Sequence, residues 1–290
     1  MTNKSMTHQS ITHKSMTVKI DSNVAHITLN RPDAFNTMNT DFWQEFPTII
    51  DKVSNDSSVR AIVISSTGKH FCAGMDLAVF TQGNQSDNLE LGRKHEQLRR
   101  TVLKLQACFN ALEKARMPVL MAIQGGCIGG AVDMISAADC RYCTEDAFFS
   151  IEETKLGMTA DLGTLQRLPK LISIGLVKEL AYTGRRMPAK EAKSAGLVNN
   201  VYENQEVMIA AVLKIAMDIA ARSPLAVLGC KEMINYAQDH SVSDSLNYMA
   251  VWQSGMFQPQ TDMMETFTAK TEKRQPKFDD LATVNDSSVL

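Results

Sequence analysis

Three carboxylates and two glycine pairs carry the chemistry this chain can do. Asp133, Glu153 and Asp161 stand twenty and eight residues apart, downstream of Gly125-Gly126 and Gly129-Gly130. Carboxylates move protons when their surroundings set one to hold a proton and another to take one. Glycine at a strand-to-helix junction leaves backbone N–H groups open to an approaching oxygen, and a helix start favours negative charge there. Together these features describe proton transfer beside a carbonyl whose oxygen gathers charge. Asp133 lies in the apolar run Ala131-Val132-Asp133-Met134-Ile135, where an unpaired charge is costly. Acids crowded there should not all ionise together, so at least one should hold its proton unusually tightly.

Each feature also has a plainer structural reading. A glycine pair between strand and helix serves close packing, and Asp161 suits the cap of a helix over Leu162–Leu168. No GxGxxG opens the chain and no GxxxxGK[ST] occurs, so phosphate-cradling loops are not supported.

The elements needed to position these residues are legible in order. Val119–Ile123 reads as a buried strand that runs into the glycines, with a helix from near Gly130 that puts Asp133 about one turn in. The apolar run Arg60–Ser65 reads as a strand covered on both faces. It leads to Cys72-Ala73-Gly74-Met75-Asp76, a second turn of the same kind. Upstream, strands are expected at Thr17–Ile20 and Val24–Leu29 around Asp21-Ser22-Asn23. A helix capped by Thr40 should run to about Val53, with Pro47 as a possible kink. Residues 81–90 read as a mobile connection. A long helix follows from about Asp87 to Lys114, with Leu98, Val102, Leu105, Phe109 and Leu112 on its apolar stripe. Strand and helix alternate, which predicts an α/β fold with a parallel sheet.

Beyond the acids, helices are expected at Ile174–Thr183 and Ala189–Gly196, with a short strand at Leu197–Val201. Four more follow, at Glu206–Ala221, Pro224–Asp239, Val242–Met256 and Asp262–Glu272, as a helical layer. The expected division is a flexible polar tail over 1–16, an α/β core over 17–222, and a C-terminal oligomerisation region and tail over 223–290. Met249, Val251, Trp252 and Met256 form an apolar set that suits subunit contacts or internal packing equally.

Composition narrows the partners. The 290 residues are 44% hydrophobic and 21% charged with net charge −2, which leaves no electrostatic footprint for nucleic acid or anionic membrane. No apolar run reaches the length of a membrane span. The six cysteines are scattered and read as reduced thiols of a cytoplasmic protein. Cys140-x-x-Cys143 has no second pair to complete a zinc site. The histidines form no metal constellation, so no metal and no cofactor are expected.

Longer motifs now join these pieces. LNRPDAFNTMN (29–39), HFCAGMDL (70–77), IQGGCIGGAVD (123–133), AADCRYCTEDAFFSIEETKLGM (137–158), GTLQRLPKLIS (163–173) and EKRQPKF (272–278) resemble the enoyl-CoA hydratase/isomerase superfamily, the crotonase fold. The resemblance runs from Thr17 to about Phe278 and is nearest the dienoyl-CoA isomerase branch. Hydratases similar to this chain carry glutamates at the positions of Asp133 and Glu153 and usually glycine at that of Asp161.

The resemblance implies a crotonase-like fold of repeated ββα units with a C-terminal helical layer, assembled as a homotrimer or a homohexamer built from two trimers. It implies isomerisation of 3,5-dienoyl-CoA to 2,4-dienoyl-CoA, coenzyme A being part of the substrate. The thioester oxygen would sit between the N–H groups of Met75 and Gly130. Arg31, Ala34, Phe35, Lys69, His70, Ala73, Gly74, Asp76, Leu77 and Gly129 would contact substrate or CoA, and residues 78–100 would line the acyl pocket. Glu153 would take the C2 proton, Asp161 would supply C6, and Asp133 would tune the pair. The motif spacing selects Glu153 over Glu152, since neighbours on an extended strand face opposite ways. The alternatives are 2-enoyl-CoA hydration, Δ3,Δ2-enoyl-CoA isomerisation, an acyl-CoA or RNA binder on the same scaffold, and a serine hydrolase, for which no GxSxG is present.

Overall fold

The computed structural model describes residues 9–81, 89–257 and 259–283. Seven strands build the main sheet: β1 (Gln9–Thr12), β2 (Met16–Asp21), β3 (Val24–Leu29), β4 (Ala61–Ser66), β5 (Val119–Ile123), β7 (Cys140–Thr144) and β10 (Asn200–Tyr202), side by side in that order. β1, β2 and β3 pair antiparallel, and β3, β4, β5, β7 and β10 pair parallel. A small second sheet holds β6 (Gly126–Ile128), β8 (Phe148–Ser150) and β9 (Met187–Pro188).

The parallel strands are covered on both faces, as their unbroken apolar runs predict. Ile62 and Ile64 of β4 enter the larger core with Val119, Met121 and Ile123 of β5. Ala61, Val63, Leu120 and Ala122 face the other way. There they meet Met208, Val212, Ala216 and Ala220, spaced by four on helix α8 (Gln205–Ala220). On the first face lie α1 (Thr40–Asn55) and α3 (Leu91–Lys114), whose Trp43 and Phe46 pack against Phe109.

The remaining helices are α2 (Leu77–Thr81), α4 (Gly130–Ser136), α5 (Thr164–Leu171), α6 (Ile174–Thr183), α7 (Ala189–Ala195), α9 (Pro224–Tyr236), α10 (Val242–Met256) and α11 (Met264–Thr271). Among the described residues no helix is long and apolar enough to cross a membrane.

Several expectations need correction. The tail expected over 1–16 contains β1, and Ser15 and Met16 are buried. Residues 1–8 lie outside the described residues. Asn39, not Thr40, caps α1 by accepting from the Phe42 N–H at 3.0 Å, and Pro47 sits inside an unbroken helix. The expected connection over 81–90 falls mostly outside the described residues, and α3 begins at Leu91. Its apolar stripe is real only in the second half: Phe109 and Leu112 are buried, Leu98 is exposed.

Candidate active site

Two glycine turns meet where β5 hands over to α4. The loop after β4 crosses β6 at Cys72, whose N–H donates to the Gly126 carbonyl at 3.2 Å while its own carbonyl accepts from the Ile128 N–H at 3.1 Å. Gly74 follows with φ of +85°, and a Cβ there would lie 2.7 Å from the Ile128 carbonyl oxygen and 3.4 Å from the Gly130 nitrogen. Only glycine allows this approach.

Met38 then fixes the direction of the next amide. Its N–H donates to the Gly74 carbonyl at 2.9 Å, and its carbonyl accepts from the Asp76 N–H at 3.2 Å. Both bonds flank Met75, so the Met75 N–H is turned away from Met38. It faces α4, where a Cβ on Gly130 would stand 3.9 Å from the Met75 nitrogen. Gly130 is the first residue of α4, behind Gly129 at φ of +55°, so its N–H is one of the free amides of a helix start. The two sequence-selected donors therefore come together across one gap.

The three acids come from three segments, and Glu153 is the one that meets the glycine turn. Asp133, on α4, is 1% exposed, and its Oδ1 accepts from the Thr164 N–H at 2.6 Å. Asp133 therefore caps α5, the job the sequence offered to Asp161. Burial pushes the Asp133 carboxyl up to about 7; donation from Thr164 opposes the rise, and the charges of Glu153 and Asp161 add to it. At least one acid was expected to hold its proton tightly, and Asp133 is the most buried.

Glu153 opens a 3-10 turn, Glu153–Leu156, rather than lying on a strand, so the alternation argument against Glu152 does not apply. Hydrogen bonding separates the two instead. Glu152 Oε1 accepts from the Ser150 hydroxyl at 2.7 Å and from Lys155 Nζ at 3.1 Å. Glu153 points at the glycine turn: a Cβ on Gly129 would lie 3.3 Å from its Oε1, and its Oε2 is buried with no hydrogen-bond partner. Burial raises its proton affinity, with the charges of Asp161 and Glu152 adding to the effect. Asp161 is exposed, yet its charge is felt by both other acids.

The residues assigned to the CoA side form a second cluster. Ala34 ends the 3-10 turn Pro32–Ala34, and Phe35 stands 52% exposed at φ of +50°. The Phe35 carbonyl accepts from the Ala73 N–H at 3.0 Å, which ties this loop to the glycine turn. Lys69 is exposed. His70 Nδ1 accepts from the Gly126 N–H at 2.9 Å, so the neutral ring carries its proton on Nε2. Its ring packs 5.5 Å from Phe35 and 6.2 Å from Phe148.

Arg31 and Asp76 are spent within the protein. Arg31 Nη1 donates to the Thr37 carbonyl at 2.6 Å and Nη2 lies 3.5 Å from Asp76 Oδ2. Asp76 also accepts from the Thr37 hydroxyl at 3.1 Å and the Ala78 N–H at 3.1 Å. The pair holds the turn carrying Met75. Leu77 opens α2 with its side chain exposed.

Sequence reasoning missed Thr164, Phe148 and Arg186. Arg186 lies 4.1 Å over the Phe148 ring beside His70. No local pattern announces it, because the β8–β9 pairing brings the two segments together. Among the described residues no group of three or more His, Cys, Asp or Glu is placed to hold a metal ion.

Comparison with known proteins matches this geometry to a family. The enoyl-CoA hydratase/isomerase pattern matches residues 19–281. The mitochondrial Δ(3,5)-Δ(2,4)-dienoyl-CoA isomerase of Mus musculus is 45% identical over 256 residues, covering 88% of this chain and 78% of that protein. The peroxisomal Δ(3,5)-Δ(2,4)-dienoyl-CoA isomerase of Arabidopsis thaliana is 43% identical over 262 residues, covering 89% and 93%. A crystal structure of enoyl-CoA hydratase from Bacillus anthracis superposes with TM-score 0.83 at 30% identity, covering 92% of this chain and 99% of that one. The chain belongs to the enoyl-CoA hydratase/isomerase family.

Proposed function

We propose that the protein converts 3,5-dienoyl-CoA thioesters to 2,4-dienoyl-CoA thioesters. The observation that carries this reading is a buried carboxylate aimed at the glycine turn: Glu153 Oε1 lies 3.3 Å from where a Cβ on Gly129 would stand, and its Oε2 has no hydrogen-bond partner. The names of the relatives from Mus musculus and Arabidopsis thaliana support the same reaction.

Glu153 is the base. Its buried Oε2 has no partner, so it is free to take a proton from C2 of the acyl chain. The electrons left behind spread into the thioester oxygen and along the conjugated chain. The Met75 and Gly130 N–H groups meet that oxygen and stabilise the dienolate more than the ground state, which lowers the barrier. One such donor contributes about 3–4 kcal/mol. C6 lies four bonds from C2, beyond the reach of the same carboxylate, and Asp161 delivers its proton. The substrate loses one proton and gains one; Glu153 ends protonated and Asp161 ionised, and the cycle closes when Glu153 releases its proton to solvent and Asp161 takes one up. No redox step occurs and no cofactor is needed beyond the CoA of the substrate.

Assembly as a trimer or hexamer belongs to the same proposal. Val242, Leu246, Val251 and Phe267 on α10 and α11 are exposed apolar side chains, a surface that suits subunit burial. Trp252 is the exception in the predicted set, since it packs against Gly229 of α9. The six free thiols support a reducing compartment such as the cytoplasm; the two relatives are named as mitochondrial and peroxisomal.

Assays on 3,5-dienoyl-CoA and on 2-enoyl-CoA hydration, each with wild type and Asp161→Asn, test the reading. Isomerisation that collapses in the variant supports it. Full dienoyl activity in the variant, or faster hydration than isomerisation in the wild type, overturns it.

A further inference from the structure

Asp161 is the least anchored of the three acids. It is exposed, and its carboxylate has no hydrogen-bond partner among the described residues. An acid that must reach C6 and not its neighbours needs a fixed position, because small misplacements of a proton donor are costly. Its segment is held through the backbone instead. Gln106 Nε2 donates to the Asp161 carbonyl at 2.7 Å. Arg167 Nη1 donates to the Leu162 carbonyl at 3.3 Å. Gly163, at φ of +130°, makes room for that guanidinium: a Cβ there would lie 1.8 Å from Arg167 Nη1. Asp133 holds the Thr164 N–H.

One face of α3 supplies the anchor. Gln106, Asn110 and Glu113 recur at helical spacing. Arg167 donates to Asn110 Oδ1 at 2.6 Å and to both Glu113 oxygens at 2.7 and 2.9 Å. The forked Arg–carboxylate pair gives fixed geometry as well as attraction. Gln106, Asn110, Glu113, Leu162, Gly163 and Arg167 also line a cavity of about 1030 Å³ shared with α9. Leu162 is buried in the core and sets the depth of the segment, while the polar contacts on the cavity side hold the directions of its two carbonyls.

We infer that Gln106 and Arg167 are positioning residues for the proton donor at C6, acting through the backbone of Asp161–Gly163. The inference rests on the assignment of Asp161 proposed above.

Deuterium reports the difference between the two proton steps. With 3,5-dienoyl-CoA in D2O, one reading is turnover to the 2,4-dienoyl product and the other is deuterium entering C2 of unreacted substrate. The second needs only the oxyanion donors and Glu153, whose proton exchanges with D2O before it returns to C2. Gln106→Glu keeps the shape of the side chain and removes the donor. Its turnover should fall about tenfold to a hundredfold, while KM and C2 exchange hold, so exchange per turnover rises as the dienolate returns to substrate. Gln106→Lys, which still donates, should recover part of the turnover. Arg167→Lys, which loses the fork, should move the same ratio in the same direction.

Wild-type turnover in Gln106→Glu, or turnover and exchange falling in equal proportion, overturns the inference. Asp161→Asn is the control. If it raises exchange per turnover and Gln106→Glu does not, only the inference fails. If Asp161→Asn itself leaves the ratio unchanged, the assignment of Asp161 fails as well.

Discussion

The two halves of the site are built from different material. The half proposed to hold the oxyanion is backbone: the Met75 and Gly130 amides have directions set by Met38, by the backbone pairing of Cys72 with Cys127 and by glycines at Gly74 and Gly129. No side chain there has to choose a rotamer or a charge state. The acid half is three side chains on three segments, graded from the buried Asp133 through the half-buried Glu153 to the exposed Asp161. A rigid backbone pocket can serve any reaction that passes through a thioester enolate. In the proposed mechanism the graded acids decide which carbons exchange protons. The choice of reaction therefore rests on the half that is easier to alter.

The largest effect should come from the acid that faces the glycine turn. Glu153→Gln removes the base and should lower isomerisation by about 10²–10⁴-fold, read as kcat on a 3,5-dienoyl-CoA. Glu152→Gln loses only a contact to Lys155 at a partly exposed pair, worth about 0–1 kcal/mol of stability, and should keep its rate. Equal losses would break the assignment of the base.

Gly74→Ala attacks the other half without touching any carboxylate. The new Cβ would stand 2.7 Å from the Ile128 carbonyl at φ of +85°, so the two turns must part. The expected loss is about 10²–10³-fold in kcat with KM little changed and a lower Tm. Because both proton steps share the oxyanion donors, C2 exchange in D2O should fall with turnover. An unchanged exchange rate would mean that these amides do not carry the developing charge.

What was legible in the sequence divides along the same line. β4 and β5 were readable because strands covered on both faces must be apolar at every position, and their runs are unbroken. The glycine turns were readable because a positive φ and close approach leave few alternatives to glycine. β1 was not: its Gln9–Thr12 is a polar edge segment, defined only by its pairing with β2. The role of Asp133 as the cap of α5 was hidden too, since an N-cap normally adjoins its own helix and here it comes from another one. The turn at Glu153 was mistaken for strand because β8 ends at Ser150, only just before it. The Asp133 cap is a contact between segments distant in the chain, whereas β1 and the turn at Glu153 are local features whose residues carry no apolar pattern to mark them.

Asp133 offers the smallest effect and the sharpest view of the comparison, because it belongs to the acid half and is as buried as the backbone half. Its carboxyl sits at about 7 in the folded protein, against an ordinary value of 3.8. Between those values the folded state holds a proton that the unfolded chain has released. Stability from the neutral group is thus fully present below the unfolded value and is lost as pH rises through the folded one. Asp133→Asn cannot titrate, while its amide oxygen can still accept from the Thr164 N–H. The Tm of the wild type should therefore fall relative to the variant as pH rises from about 5 to about 8. Subtracting the two curves removes the titrations they share. Parallel curves would show that Asp133 is ionised throughout that range, with the Thr164 N–H donating to a carboxylate.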